Sequence, residues 1–229
     1  IFMTKTNSLP KYLIISAVIL RVLLMAFFYH PDIRSQHFHA QFLSHGVTNI
    51  YEYLKANKTL LPYTDTFNYP PLTYFFLGSW QAIAKLLTGP QLAAWLVDWG
   101  GGAINHPGIF LFLFSLKIPY LIVDSLFLFL LLKLCTTANQ RHRATFLWAF
   151  NPISLYAIYM IGQFDIIPAT LTLGAILLSV RRQNILACFL IGLAAAFKTY
   201  PLLLLPFMII HIDSWQNKLA GLIAGLAGW

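Results

Sequence analysis

The feature that most constrains this chain is a short polar break, Gly162-Gln163-Phe164-Asp165, between two apolar runs. The runs cover residues 145–161 and 166–180, and arginines bound them at Arg141-His142-Arg143 and at Arg181-Arg182. As one helix the two runs would extend roughly 55 Å at 1.5 Å per residue, against a hydrocarbon core of about 30 Å. A single crossing cannot absorb that length. The pattern therefore predicts a crossing, a turn at the break and a crossing back.

Charge and composition give the fold class and the orientation. The chain is 59% hydrophobic and 10% charged, which is typical of a polytopic, all-α transmembrane bundle and excludes a soluble domain. The 15 Lys and Arg outnumber the 7 Asp and Glu mainly beside the apolar runs, so the excess indicates topology and not nucleic-acid binding. The arginines at both ends of the hairpin then lie in the cytoplasm, and the polar break faces outward. The only cysteines, Cys135 and Cys188, imply no disulfide framework.

Residues 30–107 are expected to form an extracytoplasmic region. They follow a first transmembrane helix over 12–29, which has a cytoplasmic start. Tyr69-Pro70-Pro71-Leu72-Thr73 opens a helix that runs to about residue 87; if that helix spanned the membrane, every later segment would invert. The charge pattern favours an interfacial helix, and Tyr74, Trp80 and Lys85 suit the headgroup level. Residues 89–107 are predicted to be a second, looser outer segment.

Three ionisable residues are predicted at membrane depth. Lys117 and Asp124 lie in the crossing predicted for residues 108–132, and Arg21 lies in the first helix at a depth that matches Asp124. Because buried charges in a membrane seek partners, we expect a structural Arg21–Asp124 pair. Lys117 lies nearer the outside. Its ammonium could bind an anionic headgroup of the substrate or neutralise a charge within the fold, and the sequence leaves both roles open. After Asn184, a helix rises to Lys198; residues 202–210 either return inward or continue that crossing.

The two ends of the sequence favour a partial chain. It begins with Ile1 before the first Met3 and stops within an apolar, glycine-rich run. We therefore expect residues 1–229 to be the N-terminal portion of one transmembrane module that continues past Trp229.

Polar residues from distant parts of the sequence converge on the predicted outer side. They are Asp32, His37, His39, Tyr69, Gln163, Asp165 and Lys198. Asp165 is equally well explained as a solvated turn residue, and Lys198 as a helix end reaching the headgroups. His37 and His39 have no third ligand at a recognisable spacing, so no metal site is predicted.

At these residues the chain resembles the integral-membrane glycosyltransferases of the GT-C fold. The first outer loop is similar to that of the dolichyl-phosphate-glucose-dependent glucosyltransferases. The similarity lies in Asp32 to His37 and, further along, in Tyr69 to Thr73. Two further pieces resemble the first mannosyltransferase of GPI-anchor synthesis and its bacterial relatives: Phe150-Asn151-Pro152 with the 162–165 break, and residues 192–201. The ordered pieces cover nearly the whole chain.

The resemblance implies inverting transfer of a hexose, mannose or glucose, from a polyprenyl- or dolichyl-phosphate sugar to a hydroxyl of a glycan or lipid-linked acceptor. The membrane would be a bacterial plasma membrane or the endoplasmic reticulum. In that family a carboxylate of the first outer loop acts as general base, and the matching position here is Asp32. A base is needed because a hydroxyl is a poor nucleophile until its proton is removed. The leaving phosphate needs cations, for which Lys198 is the first candidate. The other expected binding residues are His37, Arg34, Lys117, Gln163, Asp165 and Tyr69.

One departure from the family concerns metal. The GPI enzyme has two acidic residues spaced by one in this loop, whereas position 34 here is arginine. The resemblance therefore favours metal-independent catalysis without a cofactor, and a divalent metal stays open.

Two other classes fit the same sequence features. A transporter or lipid flippase would also place polar breaks and charges around a cavity, although the sequence shows no inverted repeat. A non-catalytic membrane subunit is the other alternative.

Overall fold

The computed structural model describes residues 11–61, 66–98 and 102–229, and these residues form helices and connecting turns without a strand. The α-helices are α1 (Lys11–Phe27), α2 (Pro31–Ala40), α3 (Ile50–Ala56), α4 (Pro71–Thr88), α5 (Gln91–Val97), α6 (Ile109–Leu134), α7 (Ala138–Phe150), α8 (Pro152–Ser154), α9 (Ile166–Val180), α10 (Asn184–Ala195), α11 (Leu205–Ile210) and α12 (Trp215–Gly228). A π-helix, Leu155–Ile161, extends α8, and 3₁₀ turns at Gln41–His45 and Tyr200–Leu204 follow α2 and precede α11.

Membrane character is visible in helix length and in the outward surface. In the described part of the chain, Ile109–Leu134 and Ala138–Ile161 are long and apolar enough to cross a bilayer. The pair formed by α1 and Pro31–His45 is a third candidate, bent by 76° at its break. Large apolar side chains such as Ile122, Leu147 and Phe207 are more than half exposed. Such an apolar exterior is typical of a surface that faces lipid.

The first and sixth helices run antiparallel. The ring of Phe27, at the end of α1, lies 5.1 Å from the ring of Phe110, at the start of α6. Further along both helices, Arg21 contacts Asp124. We call the end of the bundle at Phe27 and Phe110 the site end.

The chain reverses at the Gly162-to-Asp165 break, as the sequence predicts. On one side of the break, the Tyr159 hydroxyl contacts Asp124 of α6; on the other, the Thr170 hydroxyl lies 3.5 Å from the carbonyl of Val123. Both arms of the hairpin therefore pack on the same stretch of α6. Gly162 adopts a φ of 89°, which L-residues with a side chain rarely adopt.

One boundary differs from the prediction. Helix α7 begins at Ala138, seven residues before the apolar run at Thr145, because Thr137 and Gln140 form a capping box. Arg141 and Arg143 therefore lie within the helix and not beside it.

The segment after Lys198, whose direction the sequence left open, folds back along α10. A Cβ built on Gly225 of α12 would meet Leu205, and one built on Gly221 would meet Ile212. Since Gly225 also contacts Gly192 near the end of α10, residues 200–210 run antiparallel to both helices.

The region of residues 30–107 is folded into helices at the site end. Its own core contains Phe38, Phe42, Ile50, Leu54, Phe67 and Tyr74. Helix α4 is amphipathic, and it is not among the helices long and apolar enough to span. The side chain of Tyr74, which was expected at the headgroup level, packs inside the outer region: its ring is buried, and its hydroxyl donates to the Val47 carbonyl at 2.6 Å. Burial also raises the pKa of Tyr74 to about 12.

The described part of the predicted looser segment, residues 89–98 and 102–107, contains a helix. This helix is α5, whose Leu92, Trp95 and Leu96 are buried, because these side chains complete the core beside α6. The sequence also predicts a flexible bend at Gly100-Gly101-Gly102, of which Gly100 and Gly101 lie outside the described residues. Lys5, which with Lys11 predicts the cytoplasmic start of the first helix, lies outside them as well.

Candidate functional site

Asp32 is held in the first turn of α2 at the site end. His30 caps this helix, and the backbone N–H of Asp32 donates to its Nδ1 at 3.2 Å. The carboxylate is 45% exposed, and its Oδ2 accepts a hydrogen bond from Gln163 Nε2 at 2.7 Å. Its Oδ1 lies 3.2 Å from Nδ1 of the His30 ring. One carboxylate oxygen is thus oriented by an amide, and the other is available for a proton.

Gln163 reaches Asp32 because the hairpin turn packs directly on α2. A Cβ on Gly162 would lie 2.5 Å from Cδ1 of Ile33, so only glycine permits this approach. Gln36, one turn along α2, extends the contact: its Nε2 lies 3.4 Å from Gln163 Oε1 and 3.4 Å from the Tyr69 hydroxyl. The structure therefore links Asp32, Gln163, Gln36 and Tyr69 in one hydrogen-bonded chain.

Lys198 and Asp165 form an ion pair beside this chain. Lys198 Nζ lies 2.7 Å from Asp165 Oδ1, and it also lies over the rings of Phe164, at 5.0 Å, and Tyr69, at 5.7 Å. The Tyr69 and Phe164 rings meet edge to face at 4.9 Å. Burial raises the pKa of Tyr69, so its hydroxyl stays protonated at neutral pH. The ammonium is thus held by one carboxylate and two aromatic faces.

Two adjoining cavities contain these groups. The first, about 240 Å³, is lined by Asp32, Ser35 and Gln36. The second, about 560 Å³, is lined by Lys198, Thr199 and Tyr200. Phe67, Asn68 and Tyr69 line both, so they form the wall between the carboxylate and the ammonium.

Three residues that were expected to bind the donor phosphate do not line either cavity. Arg34 is buried and donates to the carbonyls of Trp95 and Asp98. His37 is fully buried in α2; burial lowers its pKa to about 3, and no hydrogen-bond partner for its ring nitrogens is found within the described ranges. Arg34 therefore connects α2 to α5, and neither Arg34 nor His37 lines either cavity.

The third, Lys117, is also buried. Its ammonium donates to the Phe28 and Tyr159 carbonyls, both at 2.7 Å, and to the Met160 carbonyl at 3.4 Å. Phe28 directly follows α1, and Tyr159 and Met160 lie in the last turn of the π-helix. Lys117 therefore closes two helix C-termini, where a cation is favourable.

Arg21 and Asp124 lie 2.8 Å apart, in the arrangement that their matched depth predicts. The guanidinium also donates to the carbonyls of Trp148, at 2.6 Å, and Ala149, at 3.1 Å. Pro152 has no N–H to bond the Trp148 carbonyl four residues earlier, so Arg21 takes that role. Asp124 accepts further bonds from Trp148 Nε1 at 2.8 Å and the Tyr159 hydroxyl at 2.5 Å.

The sequence reasoning missed Gln36, Trp148 and Tyr159. The proline at position 152 is the one signal that could have indicated the Arg21 contacts, since it frees a carbonyl at position 148. Gln36 carries no such signal. In the described part of the chain, no group of three or more His, Cys, Asp or Glu is placed to hold a metal ion.

The chain matches no protein-family model, no curated protein and no solved structure.

Proposed function

We propose that this protein is a membrane glycosyltransferase of the GT-C type. It transfers a hexose, mannose or glucose, from a polyprenyl- or dolichyl-phosphate sugar to a hydroxyl of a glycan or lipid-linked acceptor. The observation that carries the proposal is the pairing of an oriented, half-exposed carboxylate, Asp32, with a cation, Lys198, in adjoining cavities. A sugar phosphate needs both groups, a base for the acceptor and a cation for the leaving group.

The two carboxylate oxygens of Asp32 have different roles in the proposed reaction. Oδ2 is held by Gln163, and Oδ1 takes the proton of the acceptor hydroxyl. The acceptor oxygen then bonds to the anomeric carbon from the side opposite the phosphate, and the carbon–oxygen bond to the phosphate breaks. The product has inverted configuration, and polyprenyl phosphate leaves with the bonding electron pair.

Lys198 neutralises the charge of the leaving phosphate. In the free protein its ammonium is paired with Asp165, and two aromatic faces hold it at the cavity wall. A phosphate entering the larger cavity offers a second anion to the same ammonium. Asp165, Gln163 and Tyr69 then act as positioning groups around the donor, and no step requires a metal.

The proposed orientation follows from charge. Four arginines lie far from the site end: Arg141, Arg143, Arg181 and Arg182. Because positive residues are enriched on the cytoplasmic side, these arginines are placed there, and Asp32 is then on the outer or luminal face. The membrane is a bacterial plasma membrane or the endoplasmic reticulum.

The test is transfer of labelled sugar by the full chain in lipid vesicles, with a panel of polyprenyl-phosphate mannose and glucose donors. We expect release of polyprenyl phosphate together with a new glycoside of inverted configuration. Movement of intact donor across the vesicle without cleavage would instead identify a flippase. Absence of cleavage and movement across the whole panel would contradict the proposal and favour a non-catalytic subunit.

A matched pair of variants tests the cation. Lys198→Gln is expected to slow transfer by 10²-fold or more, roughly the loss seen when one charge-stabilising donor is removed. Lys218→Gln, in α12, removes a lysine outside both cavities and is expected to retain the wild-type rate. Equal rates in Lys198→Gln and wild type would remove Lys198 from the mechanism.

A further inference from the structure

A further cavity, separate from the two at the candidate site, lies between α6 and α9. It has a volume of about 530 Å³ and is lined mostly by aliphatic and aromatic side chains, among them Leu126, Phe129, Leu130, Leu171, Leu177 and Leu190. Leu126 and Phe129 are about half exposed, so the groove opens onto the apolar exterior of the bundle. We call this cavity the α6–α9 groove.

Two cations close one end of the α6–α9 groove. Lys133 lies in the last turn of α6, and Arg181 is the residue that follows α9. Both line the groove, and no Asp or Glu among the described residues lines it. Across the described residues neither cation has a carboxylate within ion-pair distance; Lys133 Nζ lies 4.9 Å over the ring of Phe129.

The groove is separate from the proposed active site. Lys133 lies 24 residues after Ile109, at the opposite end of α6 from the site end. At 1.5 Å per residue the separation along the helix is about 36 Å. A ligand bound at Lys133 and Arg181 therefore does not contact Asp32 or Lys198.

This combination matches one class of ligand. A free phosphate would use the two cations but not the leucine-lined length, and a neutral lipid would use the leucines but not the cations. An anionic phospholipid uses both, since basic pockets between membrane helices on the cytoplasmic side are suited to its headgroup. We infer that the α6–α9 groove binds one anionic phospholipid, with its phosphate at Lys133 and Arg181 and an acyl chain along α6 and α9.

Gly174 offers a way to block the groove without removing charge. It lines the groove, and a Cβ built on it lies 3.4 Å from Leu190 and 3.9 Å from Leu130. These are ordinary contact distances, so alanine fits at this position. A phenylalanine ring would extend into the space assigned to the acyl chain.

The experiment measures phosphatidylglycerol and phosphatidylcholine binding to the full chain in a neutral detergent by native mass spectrometry. We expect one phosphatidylglycerol to bind more tightly than phosphatidylcholine. Lys133→Gln and Arg181→Gln are each expected to weaken it about fivefold, the effect of removing one cation near an anionic headgroup. Gly174→Phe is expected to weaken it as well, while Gly174→Ala and the exposed Arg143→Gln retain wild-type affinity.

Three results would overturn the inference. The first is equal affinity for phosphatidylcholine, which would show that charge is not recognised. The second is wild-type affinity in Lys133→Gln, Arg181→Gln and Gly174→Phe, with helix content checked by circular dichroism. The third is glycerol phosphate binding as tightly as the whole lipid, which would make the apolar groove irrelevant.

Discussion

Arg21 illustrates how a single charge is accommodated among apolar helices. Its guanidinium bonds to Asp124 and to two carbonyls near the break before Pro152, and it stacks at 3.8 Å on the Trp148 ring. Asp124 in turn accepts bonds from Trp148 and Tyr159. Because every partner is buried, removing Arg21 leaves the Asp124 charge uncompensated even though its bonds to Trp148 and Tyr159 remain.

Replacing Arg21 with methionine is therefore expected to lower the free energy of unfolding by about 3–5 kcal/mol. The loss comes from the unpaired Asp124 charge and the freed Trp148 carbonyl. Unfolding in a titration with sodium dodecyl sulfate measures it. Arg143→Met, at an exposed position of α7, is the control and should change stability by less than about 0.5 kcal/mol.

His37 gives the fold a pH dependence. Burial lowers its pKa from 6.5 to about 3, so the folded state binds this proton less readily than the unfolded state. Its contribution to stability is therefore fully present above pH 6.5 and is lost as pH falls toward 3. The free energy of unfolding should fall by up to ~1.4 kcal/mol per pH unit across that window.

His37→Leu is expected to remove this part of the slope, and the exposed His142→Leu should retain it. Unfolding curves at pH 7, 6 and 5 make the comparison. Identical slopes in wild type and His37→Leu would contradict the assignment.

At the scale of elements, the hairpin turn connects the fold to the proposed chemistry. Gly162 places Gln163 against α2, and Gln163 orients Asp32. The sequence predicted the turn because two apolar runs of known length flank it. It could not predict the hydrogen bond from Gln163 to Asp32, because that contact depends on how α2 packs on the turn. Nor could it predict that Arg34, His37 and Lys117 face away from the cavities, since a side chain's direction depends on tertiary packing.

Gly162→Ala is expected to slow sugar transfer by a larger factor than its loss of unfolding free energy alone would explain. The left-handed φ costs about 1–2 kcal/mol for alanine, and the added Cβ displaces Ile33 and with it Gln163. The readout is the rate of sugar transfer relative to the free energy of unfolding. Gln163→Ala should show a similar rate loss without the backbone strain; full activity in Gln163→Ala would separate this turn from the proposed base.

Close helix packing explains the glycines at the end of the chain. A Cβ on Gly192 of α10 would lie 1.9 Å from the Gly225 carbonyl oxygen of α12. Gly192→Val is thus expected to force the two helices apart. The free energy of unfolding should fall by about 3 kcal/mol, the upper end of the range for overpacked cores. Gly174→Ala, where the new Cβ meets only ordinary contacts, is the matched control in the same unfolding titration.

At the scale of the whole molecule, the positions of the apolar helices were the most predictable feature. Helices α1, α6, α9 and α10 begin and end within a few residues of the predicted runs, because apolar length alone marks them. The return of residues 200–210 was not predictable, since short apolar pieces fit either a broken crossing or a reversal. Helix α5 was missed because its apolar residues were too few to stand out from the surrounding glycines.

The proposed orientation predicts that the two ends of the bundle are accessible from opposite faces. In a background without Cys135 and Cys188, Lys58→Cys and Arg143→Cys provide one exposed thiol at each end. A membrane-impermeant maleimide added to sealed vesicles should label only one of the two. Labelling of both from the same side would contradict the proposed crossing of the membrane by α6.

The most direct test of the central claim is the rate of sugar transfer by Asp32→Asn. Asparagine keeps the size of the side chain and its bond to Gln163 but cannot take the acceptor's proton. We expect a 10²–10⁴-fold loss, the range of general base catalysis, while the exposed Asp213→Asn retains the wild-type rate. Transfer by Asp32→Asn at the rate of Asp213→Asn would contradict the assignment of Asp32 as the base.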